Sequence, residues 1–492
     1  MSLKQQAVLG MRWSAIQSWG SQAGSLVVFL VLARLLAPEA FGLLALANVL
    51  YTGATLLGEL GLGQALVQRE DLAPDHLDTA FWVQLGTGVA LTLLFVVASG
   101  PLAGAFGQPE LGPVLRVLAL GLVVHALGKA PEALMRRRFA FRALAVSAVV
   151  GVVASGVVAV PMALRGLGVW SLVGQQLTYE VVSVGVLFVS SDWRPRLACS
   201  RRRFRELFDF GSSVLAFQLL NHAARRTDHF LVGYFLGEVA LGFYAVARRV
   251  LTVMGQVLSS SVRQVALAAF SRMQADRERL RLVVVQGSAL AALVAFPVFL
   301  GTAAVAPELV PLLFGAQWME AVPLIRVLTL AGVVGAVSGL LEMVLLATGR
   351  PDLRLRLGAL NVVFSLLACL AAVRFGLLAV AIAYVVGQSA VFPFVYRAAV
   401  HAAHAGGARA WRGLVPPLAA SLAMLGGVLA ARRLLPGLAP LPFLGIAVPL
   451  GALLYAGVVQ LLAPALLREF RSLVWMALPG RGTASGPGEH DG

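Results

Sequence analysis

Residues 225–249 read RRTDHFLVGYFLGEVALGFYAVARR. Paired arginines bracket a run that is mostly apolar and aromatic, interrupted near its middle by Gly237-Glu238. Extended on either side, the stretch supplies two segments, about 209–235 and 239–261, each long enough to cross the hydrocarbon of a bilayer. Gly237 then reads as the tip of a tight hairpin between two membrane helices. Arg225 and Arg249 each lie 12 residues from that tip. At about 1.5 Å per residue both arginine pairs sit roughly 17 Å below it, at matching depth near the middle of the membrane.

The rest of the chain agrees with a membrane reading. Of 492 residues, 59% are hydrophobic and 13% charged, with a mean hydropathy of +0.85. Soluble domains carry about 25% charged residues, so half the usual charge is missing. The expected fold is an all-α integral membrane protein of about fourteen helices, counted from the recurring apolar runs. The spans fall at about 11–33, 41–62, 80–99, 112–134, 141–164, 167–190, 209–235, 239–261, 283–305, 322–347, 356–374, 376–398, 413–431 and 440–463. The first is read as an uncleaved helix, being too long for a signal peptide.

This divides the chain into an N-lobe of six spans at 1–190, a basic cytoplasmic loop at 191–208, and a C-lobe of six spans at 209–398. Two further spans occupy 399–463, and a cytoplasmic tail runs over 464–492, its Gly/Ser/Pro-rich end expected to be disordered. Orientation follows from the basic residues. With the N-terminus inside, the outside loops hold only Arg34, Arg165, Arg374, Arg432 and Arg433. The inside segments hold most of the others, among them Lys129, Arg136 to Arg138 and the arginines of 194–205, so both termini are placed in the cytoplasm. The same bias accounts for a net charge of +16 without nucleic acid as a partner. Trp13, Trp19, Trp82, Trp170, Trp318 and Trp475 fall near span ends, the position of an interfacial aromatic belt.

No His-Glu-x-x-His, phosphate-binding loop or Cys/His metal spacing occurs. Cys199 and Cys369 are the only cysteines and make neither a disulfide framework nor a metal site. No catalytic residue, metal or cofactor is therefore expected, and the connecting loops are too short for the extramembrane domain of a membrane polymerase or ligase. A transporter fits better than an enzyme.

A repeat supports this. Leu36 to Ala47 aligns with Leu236 to Ala247 at an offset of 200, with Leu36, Ala40, Gly42, Ala45 and Ala47 matching identically. Each copy opens the second helix of a six-helix unit. Six is even, so the units insert in the same sense, the parallel-repeat plan of many secondary transporters with a substrate cavity between the halves.

The charges within the spans nominate a site. A mid-membrane arginine costs about 2.5–3.5 kcal/mol on the lenient insertion scale, so Arg225, Arg226, Arg248 and Arg249 must face protein, water or ligand rather than lipid. One reading pairs them with Asp228, three residues from Arg225, or with Glu59, Glu180 or Glu342. The other counts four arginines against one aspartate on this hairpin and infers a cationic cavity suited to phosphate or pyrophosphate. Arg34 extends the positive wall. Gln17, Gln22, Asn48, Tyr51, Asn221 and His222 are cavity hydrogen-bonders for sugar hydroxyls, or equally interhelical contacts. Glu59, Glu180 and Glu342 are candidates for ion coupling or internal pairing.

Four segments carry a family resemblance: LARLLAPEAFG at 32–42, ELGLGQALVQREDL at 59–72, residues 225–249, and LLATGR at 345–350. They resemble the polysaccharide-transporter branch of the multidrug/oligosaccharidyl-lipid/polysaccharide exporter superfamily, in order over about residues 1–400. The resemblance implies two six-helix lobes in the bacterial inner membrane. It also implies a flippase moving undecaprenyl-pyrophosphate-linked oligosaccharide to the outer leaflet for O-antigen, capsule or exopolysaccharide synthesis, alongside a polymerase and glycosyltransferases. Related lipid II flippases also place arginines in a central cavity. The rival reading, a multidrug/cation antiporter of the same superfamily, calls for acidic groups in the first lobe's cavity, where this chain offers only Glu59 and Glu180.

Overall fold

The computed structural model describes residues 3–270, 281–404 and 407–477. Among these every regular element is helical, as the bilayer requires of a chain that must satisfy its backbone internally. The helices are α1 (Leu3–Leu35), α2 (Pro38–Glu59), α3 (Leu62–Gln68), α4 (Pro74–Ala105), α5 (Leu111–Arg137), α6 (Phe141–Leu164), α7 (Val169–Ser190) and α8 (Arg201–Phe270). They continue with α9 (Ser288–Leu313), α10 (Ala321–Ala347), α11 (Pro351–Ala372), α12 (Leu377–Ala402), α13 (Gly407–Leu434), α14 (Pro440–Leu462) and α15 (Pro464–Ala477).

Twelve of the described helices are long and apolar enough to cross a membrane, which makes this a multi-pass membrane protein. The expected number was about fourteen, and the difference has two sources. α8 holds two expected spans joined at Gly237, and α1, Leu3–Leu35, which contains the first expected span, has its side chains described without interruption only from Trp19 on. The tail at 480–492 and the basic run Arg272–Arg279 lie outside the described residues.

Local chemistry sets several boundaries. Pro38, Pro74 and Pro440 open α2, α4 and α14, where the missing N–H costs nothing. α2 ends in left-handed Leu60 and Gly61, at φ 51° and 69°, and the short α3 follows. Gly237 takes φ 84°, ψ −178°, a conformation open to glycine and strained for other residues, so α8 folds back as a hairpin. The helix begins at Arg201, within the basic segment 191–208, because Leu207, with Phe204 and Phe208, packs on Leu62, Leu66 and Leu77.

The chain forms two compact units. Unit 1 contains Met1–Val246, Leu313–Ala321 and Cys369–Val380; unit 2 contains the remainder. In unit 1, α6 packs on α1 and α7, and α5 packs on α2, α4 and α7. Leu93, Leu94 and Val97 of α4 and Val153 and Val157 of α6 are exposed, as lipid-facing residues should be. In unit 2, Ala292 and Phe296 of α9, Leu341 and Val344 of α10, and Val391 and Val395 of α12 share one core.

The repeat is a physical contact inside unit 1. A Cβ on Gly42 would overlap the Glu238 carbonyl, and one on Gly242 would overlap the Pro38 carbonyl. Equivalent positions of the two copies thus meet reciprocally, backbone against backbone. Trp318, placed in an interfacial belt by its sequence position, is instead fully buried. Its indole N–H donates to the Ala33 carbonyl at 2.7 Å, and its ring meets Phe41 and Phe243 edge-on. The turn Gly315–Trp318 folds it inward, which nothing in the local pattern signals.

Candidate functional site

The arginines at the feet of the α8 hairpin fall in different units. Arg225 and Arg226 belong to unit 1, where both are exposed; Arg248 and Arg249 belong to unit 2, where both are partly buried. Arg248 lies over the Tyr384 ring of α12, its guanidinium carbon 4.2 Å from the centroid. That stacking holds a planar guanidinium flat against an aromatic face.

Asp228 is buried, and its carboxylate accepts hydrogen bonds from the Tyr244 hydroxyl at 2.9 Å and from the backbone N–H and Nδ1 of His229. Tyr244 is on the opposite leg, so Asp228 pins the hairpin across Gly237. His222 donates from Nε2 to the Val49 carbonyl of α2 at 3.0 Å, while Asn221 beside it and Asn48 on α2 are partly exposed. Gln17 of α1 is partly exposed and Gln22 exposed. Arg34 donates to the Leu313 carbonyl at 3.1 Å, capping the C-terminus of α9, where a cation is favoured.

The intramembrane acids prove to be partnered. Glu342 meets Arg354 at 3.4 Å across the turn between α10 and α11. Glu59 takes His125 Nε2 and Lys129 Nζ, each at 2.9 Å. Lys129 also reaches Glu132 at 3.3 Å, and Glu132 pairs with Arg136 at 2.7 Å. Glu180 accepts the Tyr51 hydroxyl on both oxygens, at 2.7 and 2.8 Å. Tyr51 is therefore directed at a carboxylate and almost fully buried, rather than open to a sugar.

Lys129, counted from the sequence among inside-segment basic residues, lies within α5 with its side chain four-fifths covered and paired to Glu59. His125 had not been singled out at all. The available signal was their i, i+4 spacing on one face of an apolar helix, opposite a lone acid on α2 that needed a partner. A small cavity of about 10 Å³ lies between them, lined by Thr55, Glu59, Gln84, His125 and Lys129.

A second cluster sits beyond the expected start of span 7, at 209. Glu206 receives Arg69 at 2.8 Å, His76 Nε2 at 3.1 Å, and Arg202 and Arg203 from its own helix. His76 Nδ1 accepts the Ala73 N–H, so Nε2 carries the proton given to Glu206. Those donors, His76 foremost, hold the Glu206 carboxyl down at about 2. In unit 2, a larger cavity of about 660 Å³ joins aromatic walls from Phe392, Tyr396 and Trp411 to the basic groups of Arg397, His401 and His404.

Helices of this order, with a backbone-paired repeat and cations within apolar spans, define a multi-pass membrane fold. The model of the family described as "Polysaccharide biosynthesis protein" matches residues 31–323. The chain belongs to that family. It is 29% identical over 319 residues to the succinoglycan biosynthesis transport protein ExoT of Rhizobium meliloti (strain 1021), covering 65% of each chain. It is 26% identical to the lipopolysaccharide biosynthesis protein WzxC of Escherichia coli (strain K12), covering 72% of each. The match therefore spans just under two thirds of the length of ExoT and somewhat more of WzxC. Among solved structures it shares the fold of the lipid II flippase MurJ in an inward closed conformation. The TM-score is 0.76 at 12% identity, covering 94% of this chain and all of that one. An inward-facing multidrug resistance MATE transporter gives a TM-score of 0.62 at 17% identity, covering 78% and 94%.

Proposed function

We propose that this chain is a flippase that carries an undecaprenyl-pyrophosphate-linked oligosaccharide from the inner to the outer leaflet of the bacterial inner membrane. It is a transporter and not an enzyme, supplying surface polysaccharide synthesis and working beside a polymerase and glycosyltransferases. The observation that carries the reading is the set of arginines within the spans of α8, in a chain whose family and named relatives serve polysaccharide synthesis and transport. Pyrophosphate is the part of such a substrate that cannot enter hydrocarbon, and guanidinium groups replace the water it loses. The prenyl chain remains in lipid throughout.

In this scheme both termini are cytoplasmic, and the contact between Pro38–Gly42 and Glu238–Gly242 lies at the outer face. Arg225, Arg226, Arg248 and Arg249 bind pyrophosphate, while Asn48, Asn221, Gln17 and Gln22 meet sugar hydroxyls. Alternating access moves the substrate past them.

The test is complementation of a host lacking its own polysaccharide flippase, with wild type and Arg→Ala changes at 225, 226, 248 and 249. Restored surface glycan that is lost in normally expressed arginine variants supports the function and the site. Rescue that survives all four changes removes the site, and failure with every glycan tried removes the function.

A further inference from the structure

The cavity at the end of α12 has no role in the transport scheme. It lies wholly in unit 2, and its walls come from the end of α12 and the start of α13. Phe392, Tyr396, Val400 and His404 follow one another at four-residue steps, with Pro393, Arg397 and His401 beside them. Four-residue spacing stacks each set on one helix face. That face is therefore aromatic toward the middle of the span and basic toward its end. Trp411 of α13 closes the aromatic wall, its ring 5.6 Å from Tyr396 and 6.3 Å from Phe392. The Trp411 backbone also bonds the Tyr396 hydroxyl. At the mouth, His404 takes a left-handed φ of 50° where α12 stops, and its ring lies 6.4 Å from that of His401.

The basic rim has no acid to answer it. Arg397, His401 and His404 are exposed, and among the described residues no carboxylate pairs with any of them. The sequence gives the reason: from Leu353 to Arg468 it holds nine arginines and no aspartate or glutamate. Two of those arginines take acids from earlier helices, Arg354 from Glu342 at 3.4 Å and Arg432 from Glu308 at 2.8 Å. A basic group in open water needs no partner. What sets this rim apart is the apolar wall on which it stands.

The level of the rim follows from the helix order. α12 ends, α13 begins and α14 ends at one face of the membrane, where α15 follows. α15 turns Leu466, Leu467 and Phe470 onto the core of unit 2 and leaves Arg468 and Arg471 exposed, the pattern of a helix at the bilayer surface. The basic end of the cavity thus lies at headgroup level, and its aromatic end lies in hydrocarbon.

We propose that this cavity binds an acidic phospholipid, with the phosphodiester at Arg397, His401 and His404 and the adjoining acyl chain against Phe392, Tyr396 and Trp411. A guanidinium forks a phosphate, and each imidazole has an N–H to donate whatever its charge. The volume of about 660 Å³ falls in the range of about 300–1,000 Å³ usual for small-molecule sites. A water-soluble anion gains nothing from a wall set in hydrocarbon, and a neutral lipid gains nothing from the rim; an anionic lipid uses both. A choline headgroup suits the aromatic faces alone, and its ammonium would lie beside Arg397. The single fixed guanidinium matches a phosphodiester, whereas the four arginines of α8 suit the larger charge of a pyrophosphate. The site does not depend on the flippase reading.

The test uses purified full-length protein in dodecyl maltoside, titrated with lipids brominated on their acyl chains, which quench tryptophan on contact. The Trp411 signal is the part lost in Trp411→Phe, subtracted in every background. Brominated phosphatidylglycerol should quench it at a concentration at least about tenfold below that of brominated phosphatidylcholine, the weight of one charge-assisted contact. Arg397→Ala should abolish that preference, and Arg468→Ala, on the same face but outside the cavity, should leave it intact. If Arg397→Ala does not accumulate, the paired change His401→Ala and His404→Ala decides by the same readout. Equal or tighter binding of phosphatidylcholine would overturn the proposal, as would a preference that survives loss of the rim. A preference lost equally in Arg468→Ala would reduce it to diffuse surface charge and overturn it too. Relief of quenching by excess inorganic phosphate would make this a free-anion site. Displacement by farnesyl pyrophosphate at lower concentration than phosphatidylglycerol would make it a cargo site. Either result refutes the phospholipid assignment.

Discussion

Gly42→Ala places a methyl group where the Glu238 carbonyl now lies, and Gly242→Ala does the same at the Pro38 carbonyl. Both obstacles are backbone, so no rotamer can absorb the change, and α2 and the hairpin must part by something on the order of an ångström. Overpacking of this kind costs about 1–3 kcal/mol. Under the alternating-access scheme proposed above, in which this contact closes the outer face, a penalty of that size confined to the closed arrangement shifts the open population by about 5- to 150-fold. A cysteine at Leu46 reads it, because Leu46 is fully buried one turn beyond Gly42 and packs against Gly233. Cys199 and Cys369 are first replaced by serine and alanine. The rate of labelling of Leu46→Cys by a membrane-impermeant maleimide, applied to intact cells, then tracks the open population. Each glycine variant should label 5- to 150-fold faster, roughly the full range of that penalty. Gly63→Ala is the control, since a Cβ at Gly63 meets nothing within 4 Å. Labelling unchanged in both variants would refute the reasoning, because a contact this close leaves no space for a methyl.

Trp318→Ala should lower stability by about 3–5 kcal/mol, the usual loss for a buried aromatic, while Trp318→Phe retains part of the packing without the bond to Ala33; thermal unfolding in detergent checks both. Arg248 and Tyr384 should be coupled by about 0.5–2 kcal/mol in a double-mutant cycle on stability, with Tyr384→Phe near wild type and Arg248→Lys weaker. Zero coupling would show that the stacking is incidental. The Glu206 carboxyl is depressed in the folded chain to about 2, so its contribution is full above the unfolded glutamate value of about 4.3 and is lost as pH falls through about 2. The stability gap between wild type and Glu206→Gln should therefore shrink between those values, and a gap independent of pH would contradict the His76, Arg203 and Arg202 contacts.

The sequence alone determined what depends on how much apolar chain lies between polar breaks. Membrane class, helical content, the Gly237 hairpin and the repeat at offset 200 are all one-dimensional properties, because the bilayer imposes a fixed length on any crossing and glycine alone tolerates such a turn. The presence of charges within spans was equally legible, since hydropathy marks each one as an anomaly. Their partners were not. Glu59 and Lys129, Tyr51 and Glu180, and Trp318 and Ala33 are separated by 70, 129 and 285 positions, and span periodicity says nothing about which faces of different helices meet. Asp228 shows the difference most plainly. Helical spacing nominated Arg225, three residues away on the same leg, whereas the folded hairpin brings Tyr244 of the other leg to its carboxylate. Only the tertiary structure decides such pairings, because a buried polar group takes its partner from whatever helix packing carries to it.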